Sequence, residues 1–179
     1  MRYDELAQSI KTKTRRTERL LLRPFCDVDA DGLLELFRDE ATMRMDGDRP
    51  ILEKNKEFDR RIDLIRHGPL IWFFAEQEKT GAFVGYVMLQ DEGDAVALGF
   101  ALTAAKQHQG FGFEMIRAVA DMLREAGVKE IRIKTWEKNL PCQKLAEKLG
   151  FEKTGLVPND HRDPLTGEVS GSYLYALKR

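Results

Sequence analysis

The sequence predicts an α/β fold of the α+β kind: one domain in which a mixed, mostly antiparallel sheet carries helices on both faces. Three observations predict it. Three β-rich runs, 70–77, 82–90 and 95–103, are separated only by the turns Glu-Lys-Thr-Gly and Asp-Glu-Gly-Asp, which makes a short antiparallel meander. The segment 95–136 then reads strand, glycine corner, helix, strand, so the sheet gains a strand by way of a helix. Finally, 179 residues with 42% hydrophobic and 33% charged side chains suffice for one buried core and are few for two.

Taken in order, residues 1–16 are basic toward their end (Lys11, Lys13, Arg15, Arg16) and show no sustained period, which predicts a flexible or loosely docked arm ahead of a domain spanning 17–179. Arg19 to Phe25 reads as a first strand stopped by Pro24. Asp27 or Asp29 is placed to cap a helix whose stripe is Ala30, Leu33, Leu34 and Phe37, the i, i+3, i+4, i+7 spacing of one helix face. Residues 39–50 read as a loop and 52–66 as a charged helix, and the meander follows. Ile116, Val119, Ala120 and Leu123 stripe a second helix that ends at Gly127. In 130–136, Ile131, Ile133 and Thr135 alternate as a strand. Asn139 precedes a short helix with Cys142, Leu145, Ala146 and Leu149 on one side and Gly150 as its stop, and 172–178 closes the chain as a strand.

Composition excludes several functions. With 29 basic and 30 acidic residues the net charge is −1, so no global field draws nucleic acid or an anionic membrane. No apolar run approaches the roughly 20 residues that span a bilayer, and the first residues lack an apolar signal core, which predicts a soluble, cytoplasmic protein. Cys26 and Cys142 form no disulfide framework, and His67, His108 and His161 are too scattered for a ligand set, so no metal is expected.

The chemistry is carried by Lys-Gln-His-Gln-Gly-Phe-Gly-Phe, residues 106–113. A dinucleotide fingerprint would place a small residue where Met115 stands, and a Walker loop would need Gly-Lys-Ser/Thr, which is absent. Two glycines between strand and helix serve either as a plain turn or as a phosphate cradle. In the second reading the first amides of the helix are unpaired, the helix dipole is positive there, and Gly110 and Gly112 let an anion reach the backbone.

Gln-His-Gln-Gly-Phe-Gly fits the Gln/Arg-x-x-Gly-x-Gly/Ala signature that follows the fourth strand in the GNAT superfamily of N-acetyltransferases. Residues 17–37 resemble the opening of the branch that acetylates N-termini of ribosomal proteins, and 139–155 resemble that branch's Asn-x-x-Ser…Glu-Lys-Leu-Gly-Phe segment. The resemblance covers 17–179 and implies a fourth strand splayed from the fifth near Ala101 to Thr103. It further implies acetyl-CoA as cosubstrate, its pyrophosphate on the amides of Gln107, His108, Gln109, Gly110, Phe111, Gly112 and Phe113. Its pantetheine would pair with Phe100 and Leu102 and be hydrogen-bonded by Asn139, which also serves as an ordinary helix cap. The Leu102 amide would face the thioester oxygen as an oxyanion donor.

The family's acid positions depart from pattern. Ala146 stands where many relatives carry tyrosine, and Cys142 where others carry serine, so Cys142 is either the acid that meets the CoA sulfur or a packing residue. Ala97 occupies the position of a frequent glutamate base, while Asp91, Glu92 and Asp94 read as ordinary turn acids. Tyr173 and Tyr175, on one face of the last strand, are candidates for the acceptor pocket. The implied activity is acetylation of a primary amine, whether a protein N-terminal α-amine, a polyamine or another small amine, by a monomer or homodimer. The alternative, motivated by Ala146 and Ala97, is a CoA-binding sensor module that has lost catalysis.

Overall fold

Runs of alternating apolar residues and helical stripes sort the chain into fourteen labelled elements in the computed structural model, which describes residues 3–178. The strands are β1 (Arg15–Arg16), β2 (Leu20–Arg23), β3 (Ile71–Gln77), β4 (Phe83–Asp91), β5 (Val96–Leu102), β6 (Glu130–Trp136), β7 (Glu152–Arg162) and β8 (Val169–Lys178). The helices are α1 (Tyr3–Ile10), α2 (Asp29–Arg38), α3 (Glu40–Met45), α4 (Lys56–His67), α5 (Phe111–Glu125) and α6 (Leu140–Lys148). One eight-stranded sheet runs in the order β1-β2-β3-β4-β5-β6-β8-β7. Its neighbours pair antiparallel except β5 with β6, which is parallel because α5 carries the chain back across the sheet.

Period-2 alternation puts the two cores on opposite faces. Phe73 joins Leu20, Leu22, Val87, Leu98, Ile131 and Ile133 beneath α1, α5 and α6, while its neighbour Phe74 joins Tyr86 and Ala101 beneath α2, α3 and α4. The expected mixed sheet with helices on both faces is therefore what forms.

Four features differ from expectation. Residues 3–10 are a helix rather than a flexible arm: Leu6 and Ile10 are buried in the core under the sheet, and the Tyr3 hydroxyl donates to the Leu89 carbonyl at 2.7 Å. Tyr3 and Ala7 pack against the same core, so the helix docks by an i, i+3, i+4, i+7 stripe only two turns long. Met1 and Arg2 lie outside the described residues. The loop expected at 39–50 contains α3, whose first turn is capped by the Asp39 carboxylate accepting from the Thr42 amide at 2.8 Å, with Met43 as its buried anchor. Asp29 does not cap α2; it lies buried in the first turn and accepts from the Cys26 amide and from Arg23, both at 2.8 Å. Finally, β7 is an exposed edge strand that its polar Pro-Asn-Asp sequence conceals. Register shifts at Lys153/Gly155 and at Val157/His161 let Pro158 and Asn159, the latter at φ +54°, sit within it.

Candidate active site

The sheet opens where its one parallel pair ends. β5 and β6 pair at Val96–Ile131, Ala97–Arg132 and Leu98–Ile133 and no further, although β5 runs to Leu102 and β6 to Trp136. On its other side β5 stays on β4 through Leu102, and the Thr103 amide still donates to the Val84 carbonyl at 3.0 Å. Strand alternation then turns the amides of Leu102 and Phe100 to the edge that β6 has left. On that edge Gln107 Nε2 donates to the Leu102 carbonyl and to the Thr42 hydroxyl, both at 3.1 Å, tying the end of β5 to α3.

A cleft of about 850 Å³ fills the opening. One part of its wall is the glycine corner with His108, Gly110, Gly112 and Phe113, faced by Asn139, Cys142, Leu145 and Lys148. Gly110 takes φ +81°, the left-handed conformation that favours glycine, and precedes the first turn of α5. The first helical bond runs from the Glu114 amide to the Gly110 carbonyl at 3.1 Å, so the amides of Phe111, Gly112 and Phe113 have no acceptor within the helix. A Cβ on Gly112 would stand 3.2 Å from Leu145 Cδ2, so a side chain there would intrude between corner and α6. Such a wall, with unpaired amides, a positive helix end and no side chain in the way, fits a diphosphate.

The side chains of Gln109 and Phe111 do not line the cleft. The Gln109 side-chain Nε2 donates to the Ala105 carbonyl at 2.7 Å, and the buried Phe111 ring lies under Arg19, 4.4 Å from its centroid. Asn139 caps α6, accepting from the Cys142 amide at 3.2 Å, and lines the cleft as well. Cys142 lines it too, but burial pushes its thiol up to about 11, with a hydrogen bond from Thr135 working the other way. Ala146 is fully buried core, while Ala97 lines the cleft without a titratable group.

Tyr173 and Tyr175 are not in the cleft. The β6–β8 register sets them opposite Thr135 and Ile133, on the face covered by α5 and α6. Tyr175 is buried with its hydroxyl 3.2 Å from Glu147 Oε1, and Lys153 sits over the Tyr173 ring. Ser172, one residue earlier and opposite Trp136, has the parity that reaches the cleft.

The other part of the wall is built by Thr42, Asp46, Lys134, Trp136, Asp160 and His161. The bulge in β7 delivers Asp160 and His161 here. Asp160 is paired with Lys134 at 3.2 Å, and the imidazole of His161 stacks on Trp136, with centroids 4.4 Å apart and planes 20° from parallel. Beside them Asp163 is wholly buried and accepts from Arg44 Nε at 2.9 Å and from the Leu165 amide at 2.9 Å. Its carboxyl is held well below the usual range, chiefly by the Arg44 hydrogen bond. Asp46, an exposed residue at the cleft, has its carboxyl raised by partial desolvation and then by Asp48; its other charged neighbour, Arg61, is already paired with Asp48 at 2.9 Å. Among the described residues no three His, Cys, Asp or Glu side chains gather as a metal site.

Comparison with known proteins agrees with this geometry. The family model for the acetyltransferase (GNAT) domain matches residues 19–152. A GNAT-family acetyltransferase of Bacillus anthracis superposes with a TM-score of 0.81 at 19% identity, covering 93% of this chain and 98% of that one. The ribosomal L7/L12 α-N-protein acetyltransferase RimL, solved with coenzyme A, gives 0.78 at 18% identity over 93% and 98%. Spermidine N-acetyltransferase of Vibrio cholerae, solved with CoA and spermine, gives 0.77 at 16% over 90% and 96%. No curated protein sequence matches. Identities this low speak for the fold alone, but the family model extends over most of the chain and includes the glycine corner and the strand pair that opens beside it. The chain belongs to the GNAT acetyltransferase family.

Proposed function

We propose that the protein transfers the acetyl group of acetyl-CoA directly to a primary amine. The observation that carries this is the edge of β5 abandoned by β6, which leaves the Phe100 and Leu102 amides facing a cleft that continues to the N-terminus of α5. The amides from Gly110 to Phe113 would hold the pyrophosphate, Phe100 and Leu102 would pair with the pantetheine arm, and Asn139 would hydrogen-bond it. The Leu102 amide would then stabilise charge on the acyl oxygen, a role worth about 3 kcal/mol in comparable acyl transfers. At the far wall, Asp46 gives the acceptor's ammonium a carboxylate whose own charge is poorly compensated. A small cationic amine and a protein N-terminus both satisfy that description.

The test is acetyl-CoA turnover across peptide N-termini, polyamines and aminoglycoside-like amines, followed by release of free thiol. At least one class should turn over. If none does while CoA still binds, the protein is a CoA-binding module without catalysis, and the transfer reading fails.

Cys142 has a packing role in this reading. A thiol pushed up to about 11 is a weaker acid than the thiol formed when the departing thiolate takes up a proton, whose unperturbed pKa is about 8.5. Cys142→Ala should therefore keep kcat well inside the roughly hundredfold loss expected on removing a general acid, with a small fall in melting temperature. Cys142→Ser should keep both, because Thr135 offers the hydroxyl a partner. A loss of a hundredfold or more in Cys142→Ala, restored by serine, would return the acid role to this residue.

A further inference from the structure

Among the described residues two buried side-chain nitrogens lack a hydrogen-bond partner, Trp72 Nε1 and His161 Nε2, and of these only His161 belongs to the cleft wall. Buried polar atoms are seldom left unpaired, and one that lines a binding cleft is satisfied by what enters it. The rest of the ring is fixed. One face lies on Trp136, and the Cε1–Nδ1 edge lies against Gly47, in the turn that follows Arg44. A proton held on Nδ1, toward that turn, leaves the lone pair of the unpaired Nε2 free to accept. Arg44 is itself held by the buried Asp163, so the turn against the ring is anchored by an ion pair. A nitrogen base oriented by a second group, within a cleft that also holds the acyl-oxygen donor, is the arrangement general-base catalysis requires.

We propose that His161 is the general base of the reaction, taking a proton from the acceptor amine on Nε2. This rests on the acetyl-transfer reading above. The amine nitrogen forms its bond to the acetyl carbon as the carbon–sulfur bond breaks with its electron pair on sulfur. The proton lost by nitrogen goes to Nε2, and the resulting imidazolium returns one through the solvated cleft to the departing thiolate, so the histidine ends neutral. His161 suits the role near neutral pH because burial holds its pKa below the ordinary imidazole value, leaving the ring unprotonated and ready to accept. The charged groups facing it are Asp160 and Asp163, which pull the other way, Arg44 from α3, held by Asp163, and Lys134 from β6, held by Asp160. Asp46, at the end of α3, lines the same cleft.

The experiment compares the wild-type chain with His161→Gln and His161→Ala, and records the ¹⁵N spectrum of the wild-type imidazoles across pH without substrate. Both variants should lose at least a hundredfold in kcat, within the range for general bases, while the melting-temperature rise given by CoA stays unchanged. The wild-type rate should show an ionisation below neutral pH that is missing from the variants, distinct from the limb due to the amine itself, which all three share. The wild-type spectrum should show His161 neutral at pH 7 with its proton on Nδ1. His161→Gln turning over within about threefold of wild type would overturn the proposal, as would a proton found on Nε2 at neutral pH. The spectrum decides the matter even where a variant does not fold. A wild-type chain that binds CoA but acetylates no amine would instead end the transfer reading, and the base role with it.

Discussion

Gly112→Asp abolishes the stabilisation of the protein by acetyl-CoA while leaving the unliganded fold close to wild type. At a hundredfold excess over Kd, a ligand that binds only the folded state contributes about 2.7 kcal/mol. For a domain of this size that corresponds to a rise in Tm of roughly 5 to 10 °C. The variant should show little or none of it. A carboxylate at the second position of α5 would stand among the amides proposed to hold the pyrophosphate, occupying them and repelling the phosphates. Without ligand the same carboxylate sits in the first turn of a helix, where a negative charge stabilises by about 0.3 to 1 kcal/mol. Its Cβ meets the flexible end of Leu145 at 3.2 Å, a contact that a rotation of the leucine relieves. Gly110 is the poorer target, since its φ of +81° would strain any other residue and confound binding with folding. Gly112→Ala separates charge from bulk: it should weaken CoA less than the aspartate does. A folded Gly112→Asp protein that keeps the full acetyl-CoA shift would remove the phosphate role from this corner.

How much of the site could be read in advance depends on whether the signal was local. The glycine corner was legible because one short segment contains both the left-handed residue and the helix it starts. The Phe100 and Leu102 edge followed from resemblance, and the register of Thr103 on Val84 supplies the physical reason for it. Strand parity defeated the reading of the last strand. In Ser-Tyr-Leu-Tyr-Ala-Leu both faces carry bulky residues, so the sequence does not say which face meets the cleft, and pairing with β6 assigns it to Ser172. His161 was illegible for a different reason. Its strand was hidden by Pro158 and Asn159, and its partners Arg44 and Trp136 are distant in sequence, so nothing near it marks a base. The short α1 was missed because its stripe, Tyr3, Leu6, Ala7 and Ile10, spans only two turns between polar and basic residues.

The same cluster makes Trp136 the residue whose loss should cost most. Its side chain is buried, its Nε1 donates to the Ser170 hydroxyl, His161 stacks on its ring, and the Arg44 guanidinium lies 6.0 Å from its centroid. Truncating a buried tryptophan to alanine costs about 3 to 5 kcal/mol. The lower end applies here because Trp136 also borders the cleft, so part of the space it vacates opens to solvent and does not remain a closed void. A loss near 3 kcal/mol lowers Tm by roughly 6 to 12 °C in a domain of this size. Trp136→Phe keeps a ring for His161 to stack on and gives up the Ser170 bond and one ring of the indole, so it should cost less than the alanine, about 1 to 3 kcal/mol. The functional effects should divide in the same way. Alanine frees the imidazole on one face and widens the acceptor end of the cleft, so acceptor KM rises and kcat falls, while the acetyl-CoA shift persists because the glycine corner is untouched. Phenylalanine should retain most of both. Melting curves with and without acetyl-CoA, together with acceptor kinetics for the two variants, measure this division. If Trp136→Ala loses acetyl-CoA binding as completely as Gly112→Asp does, the two parts of the wall do not act separately and the assignment of the acceptor to the Trp136 side is wrong.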